Sequence, residues 1–407
     1  MQPSQSRNYQ RVIKREILGK SFHAKVLPPK GLGVTCGKQL IPLFGMENLK
    51  ISDSEVEINN AKFRQLMAAA LSCTTAREIY WSLVEAPCKD LHKYKAILKN
   101  SPWTLIFREA GTPVGIRVSA FQSSIYHEGR LRDIASNILA KHQIPTTDFN
   151  AAKQRLWLQL ERNTLRIGLA MGGTPIFQRG YKKTAGHQAP LPEHLAACLT
   201  DLAMDFGGEV SQKINAILAP FAGTGTLGFE AVVAFLKLGT YHLREAFAFQ
   251  NWQCCPTKTL VHLKKTTRSP TAPKLVFIEN NAPLALSLDQ NAKLFTGPFA
   301  TDFNVEVRNQ NLFEAKIDDL TGPLFIPMNP PLGKRLFAEK QLFTNISKWL
   351  STSQQDLLGY ILSPGQGKTS EFLANLPKRF QTKQRNIFHG GEELEVIFFK
   401  ACKANPI

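Results

Sequence analysis

INAILAPFAGTGTLGFEAVVAFLKLG, residues 214–239, is the stretch from which the fold can be read. An apolar run over 214–221 breaks at Gly-Thr-Gly, and apolar residues then recur at helical spacing over 226–239, where Gly239 would be a natural C-cap. A strand, a glycine turn and a helix in that order make the first half of a parallel βαβ unit. The alternation continues downstream. KLVFIE (274–279), NVEVRN (304–309), PLFIPM (323–328) and LLGYILS (357–363) read as strands, and PLALSLDQNAKLF (283–295) reads as the helix following the first of them. The pattern predicts a doubly wound, Rossmann-like α/β domain over 186–407. Residues 240–273, rich in Lys, Thr and Pro, do not keep the rhythm and read as an insertion. Within them Trp252 is an aromatic residue in a polar stretch.

Upstream, residues 1–185 lack this alternation and read as α+β. VEINNAKFRQLMAAALSCTTAREIYWSLVE (56–85) predicts a strand followed by a long helix. Three stretches, 112–121, 152–171 and 174–181, alternate like half-buried strands, with Arg117, Arg155, Arg162, Arg166 and Arg179 interleaved. The first twenty residues read as a flexible basic tail without the apolar core of a secretory signal, and no window approaches eighteen uninterrupted apolar residues. The seven cysteines form no C-x-x-C pair and read as reduced thiols in a cytoplasmic protein, with no metal site.

The chain has 407 residues, 43% of them hydrophobic, and a net charge of +18. That length supports two or three domains with separate cores. Residues 1–185 hold 28 Lys and Arg against 13 Asp and Glu, whereas residues 186–407 hold 22 against 19. A basic half joined to a near-neutral half fits a polyanion-gripping module attached to a catalytic one, because phosphate contacts dominate nucleic-acid affinity.

Two motifs carry chemistry. Gly223 and Gly225 let the backbone approach a ligand at a helix N-terminus. Glu279 follows Gly223 by 56 residues, which becomes 22 once the 34-residue insertion is subtracted, the spacing of an acid that holds a ribose. The glycine pattern Gly223, Gly225, Gly228 suits a dinucleotide or a nucleoside cofactor equally. Asn329-Pro330-Pro331-Leu332, after the fourth strand, separates the two, because hydride transfer has no use for it. Transfer of a methyl group to an exocyclic amine does. The Asn329 amide oxygen and the Pro330 carbonyl can accept both amine hydrogens and aim the nitrogen lone pair. No strong base is then required, since the proton can leave once the nitrogen is positively charged.

PFAGTGTLGFEA (220–231) followed by MNPPLGKRL resembles the class I amino-methyltransferases that modify RNA. The linker QRGYKKTAGHQAPLPEHLAACL (178–199) is similar to the segment joining a THUMP RNA-binding domain to a guanine-N2 methyltransferase domain. KGLGVTCGKQL (30–40) and residues 56–81 resemble the ferredoxin-like region that precedes THUMP in that family. The resemblance implies S-adenosylmethionine as cofactor, rRNA or tRNA as substrate, a ferredoxin-like domain over 21–105, a THUMP-like domain over 106–185 and a methyltransferase domain over 186–407.

Carried over by position, Pro220, Phe221, Gly223, Thr224, Gly225 and Thr226 would line the cofactor. Glu279 and Asn280 would meet its ribose, Asn311 would face its adenine, and Ala189-Pro190-Leu191 would close over it. Asn329, Pro330, Pro331 and Leu332 would hold the target base. Arg117, Arg155, Arg162, Arg166, Arg179, Lys182 and Lys183 would grip RNA, and Trp252 is a further candidate RNA contact. The chain departs from the family pattern at Ala219 and Asn311, where an acid is usual, and at Leu332, where an aromatic residue is usual; Phe337 is a candidate substitute for its stacking. Two other readings share these residues: a non-catalytic RNA-binding relative, and an adenine-N6 DNA methyltransferase.

Overall fold

The computed structural model describes residues 7–108, 110–182, 191–265, 273–297, 304–331, 341–365 and 367–402. The chain folds as two compact units. One comprises residues 1–28, 36–178 and 244–266, and the other 29–35, 179–243 and 267–407. The boundary expected at 185/186 thus falls at Gln178/Arg179, and most of the insertion joins the N-terminal unit.

The N-terminal unit is built on one eight-stranded mixed sheet. Its strands are β1 (Phe22–Leu27), β2 (Leu49–Ile51), β3 (Val56–Ala61), β4 (Glu78–Pro87), β5 (Val114–Phe121), β6 (Thr146–Thr147), β7 (Gln154–Glu161) and β8 (Thr164–Ala170). Their order is β2-β3-β1-β4-β8-β7-β5-β6, so the antiparallel β4–β8 ladder runs the 21–105 region and the 106–185 region into a single sheet.

Three expectations change here. The helix predicted within 56–85 is confined to Phe63–Ser72, because the β-branched and aromatic run Ile79, Tyr80, Trp81, Val84 enters β4 instead. Residues 174–181 form no strand. The carbonyls of Gly172, Thr174 and Pro175 are taken by the Arg244 guanidinium, at 3.1, 3.4 and 2.6 Å, rather than by a neighbouring strand. Finally, the described part of the expected tail is helical over Arg7–Leu18 and buries Ile13 and Ile17.

Residues 244–266 are held in the N-terminal unit by their aromatic side chains. Trp252, 3% exposed, lies 5.5 Å from the Trp81 ring and 6.1 Å from Phe63, and its indole N–H donates to Gln154 Oε1 at 2.8 Å. The expected RNA contact at Trp252 is therefore corrected: the ring is core.

The C-terminal unit contains β9 (Ala216–Pro220), β10 (Lys274–Ile278), β11 (Val305–Arg308), β12 (Leu324–Met328), β13 (Leu357–Ser363), β14 (Phe380–His389) and β15 (Glu392–Ala401). The sheet order is β11-β10-β9-β12-β13-β15-β14, with β11 to β13 parallel and β15 antiparallel to both neighbours. The strand order reverses between β9 and β12. A doubly wound sheet opens its ligand crevice at such a point, outside the carboxyl ends of the strands.

Apolar side chains cover both faces. One core gathers the helices at Glu193–Gly207, Thr226–Phe235 and Ala282–Thr296, and the other those at Leu342–Ser351 and Lys368–Ala374. The helix after the glycine turn stops at Phe235, short of Gly239. Lys237, not a glycine, takes the left-handed C′ position at φ 53°, with Leu238 N–H donating to Val233 O and Lys237 N–H to Ala234 O. Burial of Leu238 in the core accompanies this Schellman closure.

Candidate active site

β9 ends at Pro220, and the chain enters a turn with three left-handed residues, Phe221 (φ 52°), Gly223 (φ 54°) and Gly225 (φ 92°). The glycines differ in what they do. A Cβ on Gly223 would meet nothing within 4 Å, so this residue borders open space. A Cβ on Gly225 would lie 2.4 Å from Phe229 and 2.6 Å from Leu288, and one on Gly228 would lie 2.4 Å from Phe277. Gly225 thus permits close packing of the turn against Phe229 and the helix at Ala282–Thr296, Gly228 permits close packing of its helix on β10, and of the three only Gly223 keeps a face open for a ligand.

The distant acid reaches this turn. Glu279, directly after β10 and 8% exposed, accepts the Gly223 N–H at 2.7 Å and the Asn281 N–H at 2.9 Å. A gap of 56 residues in sequence therefore closes to one hydrogen bond. The carboxylate partners are backbone donors, and an acceptor-only group of this kind beside open space suits the hydroxyls of a ribose. The residues present therefore fit a nucleoside cofactor. Asn280 is exposed next to it. Thr224 and Thr226 are buried in the turn and the first helical position.

Two supporting residues were missed from the sequence. Asn291, fully buried, donates to the Thr224 carbonyl at 3.2 Å and ties the turn to the helix at Ala282–Thr296. Its signal is a polar residue in the apolar stripe Ala285, Leu288, Ala292, Phe295. Asn309, after β11, donates to the Glu279 carbonyl at 2.8 Å. Asn311 spends its side-chain oxygen on the Phe313 N–H at 3.0 Å, capping a short helical turn. Ala219 is 1% exposed inside β9, where an acid would be buried in the core.

β12 ends at Met328, and Asn329 follows, partly exposed, with Pro330 buried and Pro331 partly exposed. Among the described residues the Asn329 amide makes no hydrogen bond. β12 pairs with β13 through Met328, but its ladder to β9 is confined to Leu324 and Phe325. Pro327 has no N–H to continue such a ladder. The glycine turn and the Asn-Pro-Pro segment thus leave the carboxyl ends of adjacent strands, three residues beyond the last positions at which those strands pair. Leu332, Phe337, Lys183, Ala189 and Pro190 lie outside the described residues.

The proposed RNA contacts separate into three groups. In the N-terminal unit, the Arg117 and Arg155 guanidinium groups sit 4.3 and 5.1 Å from the centre of the Phe149 ring, and Arg162 is exposed at the β7–β8 turn. Arg166 is paired with Glu57 and Glu85 at 3.5 and 3.2 Å, and Lys182 with Glu193 at 3.4 Å. Arg179 must be removed from the set. It is 0% exposed and ion-paired at 3.2 Å with the equally buried Glu230, whose other oxygen accepts the Tyr181 hydroxyl at 3.0 Å.

No protein-family model matches the chain. Among curated proteins it is similar to the ribosomal RNA large subunit methyltransferase K/L of Chromohalobacter salexigens, 28% identical over 205 residues, covering 48% of this chain and 27% of that protein. The protein of the same name from Hydrogenovibrio crunogenus is 24% identical over 352 residues, 79% of this chain and 45% of its own length. The chain thus spans less than half the length of these relatives. Among solved structures, SMU.472 complexed with SAH is 16% identical with a TM-score of 0.72, covering 95% of this chain and all of that one. TrmN from Thermus thermophilus is 15% identical with a TM-score of 0.63, covering 93% and 99%. These likenesses establish a Rossmann-like methyltransferase fold.

Proposed function

We propose that the protein is an S-adenosylmethionine-dependent methyltransferase acting on the exocyclic N2 of guanine in large-subunit ribosomal RNA, with the N-terminal unit as a THUMP-like RNA-binding region. The observation that carries this reading is the placement of the Gly223–Glu279 pair and the Asn-Pro-Pro segment at the carboxyl ends of neighbouring strands. When bound, S-adenosylmethionine supplies an electrophilic methyl group. Glu279 accepts from the ribose hydroxyls, and the open face of Gly223 admits the methionine portion. The Asn329 amide oxygen and the Pro330 carbonyl accept the two amine hydrogens and hold the nitrogen lone pair in line, so orientation replaces a strong base. Two prolines in succession stiffen this clamp.

Charge supports RNA as the substrate class. Counted by compact unit, the N-terminal one holds 28 Lys and Arg against 14 Asp and Glu, and the C-terminal one 22 against 18. Arg117, Arg155 and Arg162 are the proposed phosphate contacts. The curated relatives are named as large-subunit ribosomal RNA methyltransferases, which supports this substrate.

The test incubates the full chain with methyl-labelled S-adenosylmethionine and unmodified large-subunit ribosomal RNA, followed by digestion to nucleosides. Label in N2-methylguanosine is the expected result. RNA and cofactor binding without transfer would overturn the enzymatic reading, and label confined to N6-methyladenine in duplex DNA would replace the substrate.

A further inference from the structure

We propose that the polar face of the eight-stranded sheet holds a pocket for one unpaired RNA base, rimmed by Phe121; this rests on the RNA-binding reading of the N-terminal unit above. The cavity has a volume of about 330 Å³, and Lys25, Glu55, Ser119, Phe121, Gln159 and Glu161 are among the residues lining it. That is the small end of the range for ligand sites. Strand pairing sets Ser119 beside Gln159 and Phe121 beside Glu161 on β5 and β7. On the same face Arg166 of β8 reaches over β4 and β1 to Glu57 of β3, at 3.5 Å, so side chains converge here from distant strands.

The lining favours a base over a phosphate. The cation in it, Lys25, is 8% exposed and already paired with Glu55 at 2.8 Å, which leaves Glu161 to set a negative local charge. Ser119 accepts the Trp157 indole N–H at 2.9 Å and keeps its own proton to donate. The Gln159 amide and the Glu161 carboxylate make no hydrogen bond among the described residues. Together these groups offer donors and acceptors to the edge of a planar heterocycle. Phe121, 60% exposed, supplies a ring face on which any base can stack. Its backbone is fixed, because its carbonyl accepts the Arg162 N–H at 3.1 Å and the Ser123 hydroxyl at 3.0 Å. Phosphates have a place on the same face. Arg117 precedes Phe121 by four residues on β5, about 13 Å at ordinary strand rise, and Arg155 precedes Gln159 by four on β7. A single strand whose backbone runs over the two arginines can turn a neighbouring base into the pocket.

The experiment titrates the full chain with a short single-stranded RNA of mixed sequence and, separately, with inorganic polyphosphate, a polyanion that has no bases. Phe121→Ala should weaken RNA binding by about tenfold. It should leave the salt dependence of RNA affinity unchanged and polyphosphate affinity within about twofold. Phe121→Trp, which keeps a stacking face, should retain RNA affinity. Arg117→Ala, by contrast, should weaken both ligands and lower the salt slope by about one. Unchanged RNA affinity in Phe121→Ala, or equal losses for RNA and polyphosphate, would overturn the pocket while RNA binding through phosphate contacts stands. Failure of wild type to bind RNA would sink the RNA-binding reading with it. The substituted ring is exposed, and circular dichroism checks the fold of each variant.

Discussion

At Asn329, just past the end of β12, two features meet: a polar side chain without a hydrogen bond among the described residues and a following pair of residues that cannot donate from the backbone. If it orients the amine, Asn329→Ala should lower methyl transfer by about 100-fold or more while RNA affinity in a filter-binding assay stays within about twofold. Glu279→Ala should weaken S-adenosylmethionine by about tenfold or more in calorimetry, since it removes a carboxylate acceptor and frees the Gly223 N–H. Both positions could be singled out in the sequence because they follow strand ends, which the apolar runs mark. The burial of Arg179 could not be read there. An arginine among alternating residues looks solvated, and only the tertiary arrangement shows that Glu230, 51 positions away, takes it into the core.

Elements show the same split between local and distant causes. The run of strands β9 to β13 followed from short apolar segments separated by turn signals. β14 and β15 were missed, although Gly390-Gly391 between them, both at positive φ, are a hairpin signal present in the sequence. β14 exposes most of its length, so its sequence, FQTKQRNIFH, lacks the apolar alternation of a strand. The helix at Thr226–Phe235 depends on what its glycines exclude and on what its acid holds. Gly225→Ala sets a methyl group against Phe229 and Leu288 at a φ of 92°, and should cost several kcal/mol in denaturant unfolding. Glu230→Ala leaves the Arg179 guanidinium buried without its carboxylate, and about 3–5 kcal/mol of stability should be lost.

For the molecule as a whole, pH is a lever on the N-terminal unit. Burial pushes the Glu78 carboxyl up to about 8, against the N–H groups of Ile79 and Gly172 that favour its ionised form. An unfolded chain releases that proton near the ordinary 4.5. Between these values the folded state carries a proton the unfolded state lacks, so stability falls as pH rises from 4.5 to 8. Glu78→Gln should flatten that decline in unfolding curves. The charge asymmetry was visible in composition, but the assignment of residues 244–266 was not, because no local signal reveals that Arg244 bonds the loop at 172–175, about 70 positions earlier, or that Trp252 bonds Gln154 of β7, 98 positions earlier. That arrangement has a consequence for biosynthesis. When residue 178 leaves the ribosome, 88 residues separate it from the last piece of its own unit at residue 266. At 5–20 residues per second the N-terminal unit waits roughly 4–15 s for Trp252, 74 residues on, to cover Trp81 and Phe63. Over that interval the nascent chain presents an aromatic surface to chaperones, and a polypeptide ending near residue 185 would present it permanently.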